Sequence, residues 1–193
     1  MAEQGKIRGY SIRKQAEFLR TDHFDAATRE RILATLPEHL RGDLSTIEPA
    51  GWYPREQSAI LLRAIASAAT DDASARKLLA TCGEPIAIES TNTFLKLVLR
   101  LMNPVRFANK LPDLWKRDMQ GGFFVSDVSR AAENRIGFVL DDVEGYDHVG
   151  PSTEGWLRFA MKALGKTGVE VDLEGWSLAK PGPKAVKYEV RWA

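Results

Sequence analysis

The sequence has few of the residues that carry metal and thiol chemistry. Its 193 residues include one cysteine, Cys82, and three histidines. A single cysteine cannot form a disulfide within the chain, and we expect Cys82 to be a buried, unreactive thiol. Because no group of histidines and cysteines has the spacing of a metal site, the sequence predicts neither a metal nor a cofactor.

The sequence also has no large excess of one charge and no long apolar run. Lysine and arginine total 27 against 26 aspartates and glutamates, so no overall field favours nucleic acid. The most apolar stretch, Phe94–Met102, is interrupted by Lys96 and Arg100 and is shorter than the ~18 residues of a membrane span. Met1–Arg20 lacks the apolar segment of a signal peptide. We therefore expect a cytoplasmic protein without a membrane span or a nucleic-acid partner.

The overall amino-acid composition is that of a globular protein. Hydrophobic residues make up 44% and charged residues 27% of the chain, which is enough to build one full core. No internal repeat or low-complexity linker divides the sequence. We expect one domain over residues 1–193, with a helical half at about 1–120 and a sheet half at about 121–193.

Patterns typical of helices fill the first half. The predicted helices are Ser11–Arg20, Asp25–Leu36, one that follows Pro54, one from Asp71 to Gly83, Glu84–Met102 and Val105–Gln120. Asp25 is a plausible N-cap, Gly83 suits a helix C-terminus, and Pro112 predicts a kink or break.

The helix after Pro54 carries Leu61, Leu62 and Ile65 on a broad apolar arc. The predicted helices offer more apolar surface than one small core obviously needs. We therefore expect this arc to form a two-fold contact in a homodimer, with the same patch on both subunits.

In the second half of the sequence, apolar and polar residues alternate with a period of two. Predicted strands are Phe123–Ser129, Asn134–Asp141, Thr167–Glu174 and Ala185–Trp192, with a helix from Pro151 between the two pairs. Alternation of this kind is typical of a sheet with one buried and one wet face. The predicted fold class is α+β, with an N-terminal helical layer packed on a C-terminal antiparallel sheet in the order strand-strand-helix-strand-strand.

Two sets of residues are candidate binding surfaces. Arg106, Lys110 and Arg117 share a helical face that could dock an acidic protein, although a solvated face explains them as well. Aromatic and apolar residues could wall a cavity for an apolar ligand of about ten carbons, or could simply fill the core. The predicted cavity wall is Phe94, Val98, Trp115 and Trp156.

No catalytic constellation accompanies these sets. The loop from Asp141 to His148 is acidic, but its spacing does not match a calcium loop, and a solvated loop explains it better. Ser58 and Ser67 lack the context of a nucleophile elbow. We therefore assign no catalytic residue.

Several short motifs carry a family resemblance over roughly Gly5 to Trp192. The chain resembles an uncharacterised bacterial paralogous family that is itself similar to four-vinyl-reductase-type domains, haem nitric-oxide-binding domains and Bet3-like transport subunits. The motifs are Trp52-Tyr53-Pro54, Leu101-Met102-Asn103-Pro104, Leu114-Trp115, Gly121-Gly122, Gly155-Trp156 and Tyr188-Glu189-Val190-Arg191-Trp192.

This resemblance implies a sensor-like α+β fold, often dimeric, with a ligand cavity between helices and sheet. Two departures limit what it implies about chemistry. Where four-vinyl-reductase-type domains often have cysteines, this chain has Trp176-Ser177 and Ala185-Val186. Haem-binding relatives use a proximal histidine and a Tyr-x-Ser-x-Arg motif, whereas Tyr10-Ser11-Ile12-Arg13 has a different spacing.

Together these patterns predict a non-enzymatic sensory or regulatory module. Its expected partners are an apolar small molecule, an acidic protein or both. A structural adaptor of the Bet3 kind with a filled cavity is the alternative, and an enzyme acting on a small hydrophobic substrate is a weaker one.

Overall fold

The fold is that of a computed structural model, which describes residues 5–42, 44–91 and 98–193. The helices are α1 (Gly9–Phe18), α2 (Ala26–Thr35), α3 (Glu38–Arg41), α4 (Arg55–Ala66), α5 (Asp72–Ser90), α6 (Pro104–Asp118) and α7 (Val149–Ala163). The strands are β1 (Lys6–Arg8), β2 (Trp52–Pro54), β3 (Met119–Gln120), β4 (Phe123–Asp127), β5 (Arg135–Asp141), β6 (Glu170–Glu174) and β7 (Ala185–Arg191).

The C-terminal sheet is antiparallel with the strand order β4-β5-β7-β6. Its register places Phe138 opposite Tyr188 and Leu140 opposite Val186, and all four side chains are buried on one face. A one-residue shift would turn this apolar set to solvent, so the alternation fixes the register. The predicted α+β class and the order strand-strand-helix-strand-strand are confirmed.

A second, three-stranded sheet with the order β2-β1-β3 was not predicted. Its central strand places Ile7 opposite Tyr53 on one side and Met119 on the other. These strands are two or three residues long, too short for a period-two pattern to be recognised. The small sheet joins the N-terminus to the end of α6, and it therefore brings α1 and α6 together.

Helix α5 is longer than the sequence pattern predicted. It continues through Gly83 and Pro85 to Ser90, so the predicted helix end at Gly83 and the predicted helix start at Glu84 are both wrong. The predicted break at Pro112 is also wrong, since α6 passes through it. The N-cap at Asp25 is confirmed, because its carboxylate accepts a hydrogen bond from the Thr28 amide at 2.8 Å.

Gly83 lies where α5 crosses α7 at backbone contact. A Cβ atom on Gly83 would lie 1.9 Å from the Ser152 carbonyl oxygen, and one on Gly155 would lie 1.9 Å from the Ala80 carbonyl oxygen. Real Cβ atoms do not approach oxygen this closely. The two glycines are therefore required by the approach of the two helices and do not mark helix ends.

The apolar face of α4 belongs to the core of the chain itself. Leu61, Leu62 and Ile65 are each at most 1% exposed, within a hydrophobic cluster that extends over both halves of the chain. A side chain buried in this way has no surface left for a second subunit. The assignment of these three residues to a dimer contact is therefore wrong.

Candidate functional site

A small cavity lies where α1, α5, α6 and α7 meet the small sheet. Its volume is about 70 Å³. The aliphatic, methionine and tryptophan residues that line it come from five elements and are Ile7, Ile86, Leu111, Leu114, Trp115, Met119, Val149 and Trp156. A cavity at this junction contacts helices from both halves of the chain, so an occupant would contact both halves.

Two of the four predicted cavity residues line this space. Trp115 packs edge-on against Phe124 with ring centroids 5.1 Å apart, and Trp156 stacks on Phe107 at 6.1 Å. Val98 is half-buried but is not among the described lining residues. Phe94 lies outside the described residues. The role of the two tryptophans in ligand binding stays a prediction.

A polar network enters the cavity from α1. The Gln15 amide nitrogen donates to the Ser58 hydroxyl at 2.8 Å, and that hydroxyl is 2.7 Å from the Tyr146 hydroxyl. All three residues are at most 2% exposed. The Gln15 carbonyl oxygen is buried and has no hydrogen-bond partner among the described residues. An unpaired buried acceptor of this kind is unfavourable by about 1–3 kcal/mol.

A second polar group lies at the edge of the cavity. The Tyr10 hydroxyl is hydrogen-bonded to the Asp118 carboxylate, and Arg117 donates to the same carboxylate at 2.8 and 2.6 Å. Burial and the neighbouring Asp118 both raise the pKa of the Tyr10 hydroxyl. Tyr10 therefore remains a neutral hydrogen-bond donor.

The predicted basic docking face is present only in part. Arg106 and Lys110 are exposed, and Lys110 is 3.3 Å from Asp113. Arg117 instead turns inward, where it binds Asp118 and also donates to the Ser90 carbonyl at 2.8 Å. Two of the Arg117 nitrogen atoms, Nε and Nη2, are thus used within the fold, and its part in a docking surface stays a prediction.

This difference in environment predicts different effects on stability. Arg117→Ala is expected to lower the free energy of unfolding by about 1–3 kcal/mol, since it removes charge-assisted bonds from a half-buried site. Replacing Arg106 and Lys110 together by glutamate is expected to change it by less than about 0.5 kcal/mol, because the side chains are solvated. Urea unfolding of the two variants measures these changes. Equal losses would contradict the difference in environment between Arg117 and the two exposed residues.

The acidic loop is solvated only in part: Asp142 and Glu144 are exposed, as predicted, but His148 is only 3% exposed. Asp147 accepts a hydrogen bond from Arg63 at 3.0 Å. The Nδ1 atom of His148 has no partner among the described residues, and its ring contacts Trp176 at 5.8 Å between centroids. Across the described ranges, no three histidine, cysteine, aspartate or glutamate side chains form a group that could hold a metal ion.

The thiol of Cys82 is buried, as predicted. Burial raises its pKa well above the ordinary value, so the reactive thiolate is disfavoured. Among the described residues, no helix is both long enough and apolar enough to cross a membrane.

Gln15 was not recognised from the sequence, although a signal was present. It lies between Ile12 and Ala16 on the face of α1 that is buried against the core. A glutamine on an otherwise apolar helix face indicates a buried polar contact, since such groups are rarely buried without a partner. Its partner Ser58 is 43 positions away, and Tyr146, the partner of Ser58, lies another 88 positions along the chain, distances that no local pattern spans.

No protein-family model matches the sequence, and no curated protein matches it either. Solved structures do match. The H-NOX protein of K. algicida, in its Fe(II) unliganded form, is 14% identical with a TM-score of 0.68, and 97% of each chain is covered.

Two further structures support the same fold. The S. oneidensis H-NOX protein in the Fe(II)NO state is 9% identical with a TM-score of 0.62, covering 95% of this chain and 98% of its own. An oxygen-binding H-NOX domain related to soluble guanylate cyclases is 10% identical with a TM-score of 0.58, covering 96% and 95%. Of the resemblances considered, the haem nitric-oxide-binding one is matched, and this chain has the H-NOX fold.

Proposed function

We propose that this chain is a sensory or regulatory module that binds a small molecule in the cavity between α1, α5, α6 and α7. The observation that carries the proposal is the cavity itself, which is lined mainly by apolar side chains from both halves of the chain. The structural neighbours include an H-NOX protein in its Fe(II)NO state and an oxygen-binding H-NOX domain, and they support a sensory role. A ligand here would contact four helices at once and could change how they pack.

The ligand is smaller than the sequence suggested. An engineered cavity of about 150 Å³ in another protein holds benzene, which has six carbon atoms. A cavity of about 70 Å³ therefore has room for about three non-hydrogen atoms. Because so few atoms are buried, we expect an affinity in the millimolar to submillimolar range.

The residues around this cavity do not fit a haem. No histidine or cysteine is among its described lining residues, and the raised pKa of Tyr10 and Tyr146 disfavours a phenolate ligand. The volume is also far below the about 300–1,000 Å³ of pockets for drug-sized molecules. We therefore propose a haem-independent module. Purification of the protein with stoichiometric haem would contradict this part of the proposal.

The two alternatives from the sequence are less well supported. A structural adaptor with a filled interior does not account for the cavity. An enzyme needs a nucleophile or a base, but the tyrosines at the cavity are held neutral and Asp118 is already paired with Arg117.

The proposal predicts that xenon, an apolar probe of suitable size, binds in this cavity. Methyl NMR spectra recorded under xenon pressure are expected to shift most at Ile7, Leu111 and Leu114. Leu114→Phe adds volume to the cavity wall and is expected to reduce the response. Leu101→Phe is the matched control, because Leu101 is 82% exposed and lines no part of the cavity.

Two outcomes would contradict the proposal. The first is the absence of localised shifts at the highest xenon pressure. The second is an equal response in Leu114→Phe and Leu101→Phe, which would place the binding elsewhere.

A homodimer and an acidic protein partner remain predictions. Arg106 and Lys110 are exposed and could take part in the second contact. The dimer contact needs a surface other than the buried face of α4.

A further inference from the structure

One residue borders both the cavity and a groove on the protein surface. The groove lies beside α1 and has a volume of about 70 Å³, as the cavity does. Its described lining residues are Tyr10, Arg13, Lys14, Glu17, Pro49 and Glu89. Of these six, only Tyr10 also lines the cavity. The half-buried Tyr10 therefore lies where the two spaces meet.

The two spaces differ in chemistry. The cavity is lined mainly by apolar side chains. The groove has two basic side chains, Arg13 and Lys14, and two acidic ones, Glu17 and Glu89. Lys14 lies 2.9 Å from Glu17 and 3.9 Å from Glu89. Because these charges offset one another, a neutral molecule can cross the groove, whereas a charged one would lose its hydration on entering the cavity.

Polar contacts from three helices hold the Tyr10 side chain. Its hydroxyl is hydrogen-bonded to the Asp118 carboxylate of α6, which also accepts two bonds from Arg117. Arg117 in turn donates to the carbonyl of Ser90, the last residue of α5, at 2.8 Å. The ring of Tyr10 can rotate away from the cavity only if the hydrogen bond between Tyr10 and Asp118 breaks.

We propose that the ring of Tyr10 is a movable partition, past which the ligand enters the cavity from the groove, and that the same ring limits the size of the ligand. This inference rests on the proposed function and adds an entry route to it. The cavity alone has about half the volume of the about 150 Å³ cavity that holds benzene in another protein. Cavity and groove together approach that volume. Benzene is therefore too large with the ring in place and fits when the ring is removed.

The entry route is tested by the rate at which xenon enters and leaves. Tyr10→Phe keeps the ring and removes the hydroxyl that bonds Asp118. Because this hydrogen bond involves a charged group, its loss is expected to make xenon exchange about ten- to a hundredfold faster. The affinity for xenon is expected to stay the same, since an aromatic ring still lines the cavity. NMR exchange spectroscopy under xenon pressure measures both quantities.

Tyr53→Phe is the matched control for the exchange rate. Tyr53 is also half-buried, and its hydroxyl accepts a hydrogen bond from the Glu48 amide at 2.9 Å, but it lines neither space. Its exchange rate is expected to equal that of the intact protein. Equal rates in Tyr10→Phe, Tyr53→Phe and the intact protein would show that xenon enters elsewhere, and would overturn the entry route.

The size limit is tested with benzene. Tyr10→Ala is expected to bind benzene, seen as shifts of the Leu111 and Leu114 methyl groups, whereas the intact protein and Tyr53→Ala are expected to exclude it. The backbone spectrum of Tyr10→Ala establishes whether it is folded. If it is not, Tyr10→Leu, which favours a helix and also removes the ring, takes its place.

The outcomes separate this inference from the proposed function. Benzene binding by the intact protein, or no benzene binding by the folded Tyr10 variant that lacks the ring, would overturn the size limit. Neither result affects the proposed function as long as xenon binds in the cavity. Failure of xenon to bind the intact protein would refute the proposed function itself.

Discussion

Gly83→Ala is expected to lower the free energy of unfolding by about 3 kcal/mol or more. The added methyl group would lie 1.9 Å from the Ser152 carbonyl oxygen, and the nearest atoms are backbone, so no side chain can rotate away. Alanine favours a helix over glycine by only about 1 kcal/mol, which does not offset the clash. Urea unfolding followed by tryptophan fluorescence measures the change. Gly155→Ala, on the other helix of the crossing, is expected to behave in the same way.

Gly42→Ala is the control for this prediction. No atom lies within 4 Å of a Cβ atom built on Gly42, and its φ of −77° is accessible to alanine. We expect a change of less than about 0.5 kcal/mol. If Gly83→Ala were as mild as Gly42→Ala, the backbone contact between α5 and α7 would be absent in solution.

The same glycine illustrates what the sequence could not reveal about the fold. A glycine near the end of an apolar-periodic segment usually marks a helix C-terminus, and Gly83 fits that local rule. The competing requirement comes from Ser152, 69 positions later in the chain, whose backbone contacts α5 at this point. By contrast, β5 and β7 were predicted closely, because alternation within one strand depends only on which face is buried.

The candidate site, like the fold, was predicted only in part. Trp115 and Trp156 were assigned to a cavity wall because large aromatic residues often line such spaces, and both lie at the cavity. The burial of Leu61 and the internal bonds of Arg117 were missed for one shared reason. An apolar or basic helix face can serve a partner or the interior of its own chain, and only tertiary contacts decide which.

The burial of His148 could not be predicted from the acidic residues around it in the sequence either. The neighbouring carboxylates suggested a wet loop, but the chain turns at His148 with a φ of 63° and directs the side chain inward at the start of α7. Its backbone amide donates to the Pro181 carbonyl at 2.7 Å. The imidazole is thereby held in the interior, where its charged form is disfavoured.

Burial makes His148 a source of pH-dependent stability. Burial lowers the pKa of the imidazole from its ordinary 6.5 to about 4, with Asp147 acting in the opposite direction and Arg63 in the same one. The unfolded chain therefore takes up a proton below about pH 6.5 while the folded chain does not. The stability that His148 contributes is fully present above that pH and is lost as the pH falls towards about 4.

The free energy of unfolding is expected to fall by about 2 kcal/mol between about pH 7.5 and about pH 5. This corresponds to roughly 1.4 kcal/mol for each pH unit below the pKa of histidine in the unfolded chain. Urea unfolding at the two pH values measures it. His148→Asn is the matched control, because asparagine tolerates the left-handed backbone and does not titrate. Aspartate and glutamate residues contribute to the pH dependence of both proteins alike. The difference in pH dependence between the intact protein and the variant is therefore due to the imidazole. An equal pH dependence in the two proteins would show that the pKa of His148 is the same in the folded and unfolded chains, which would contradict the burial of its ring.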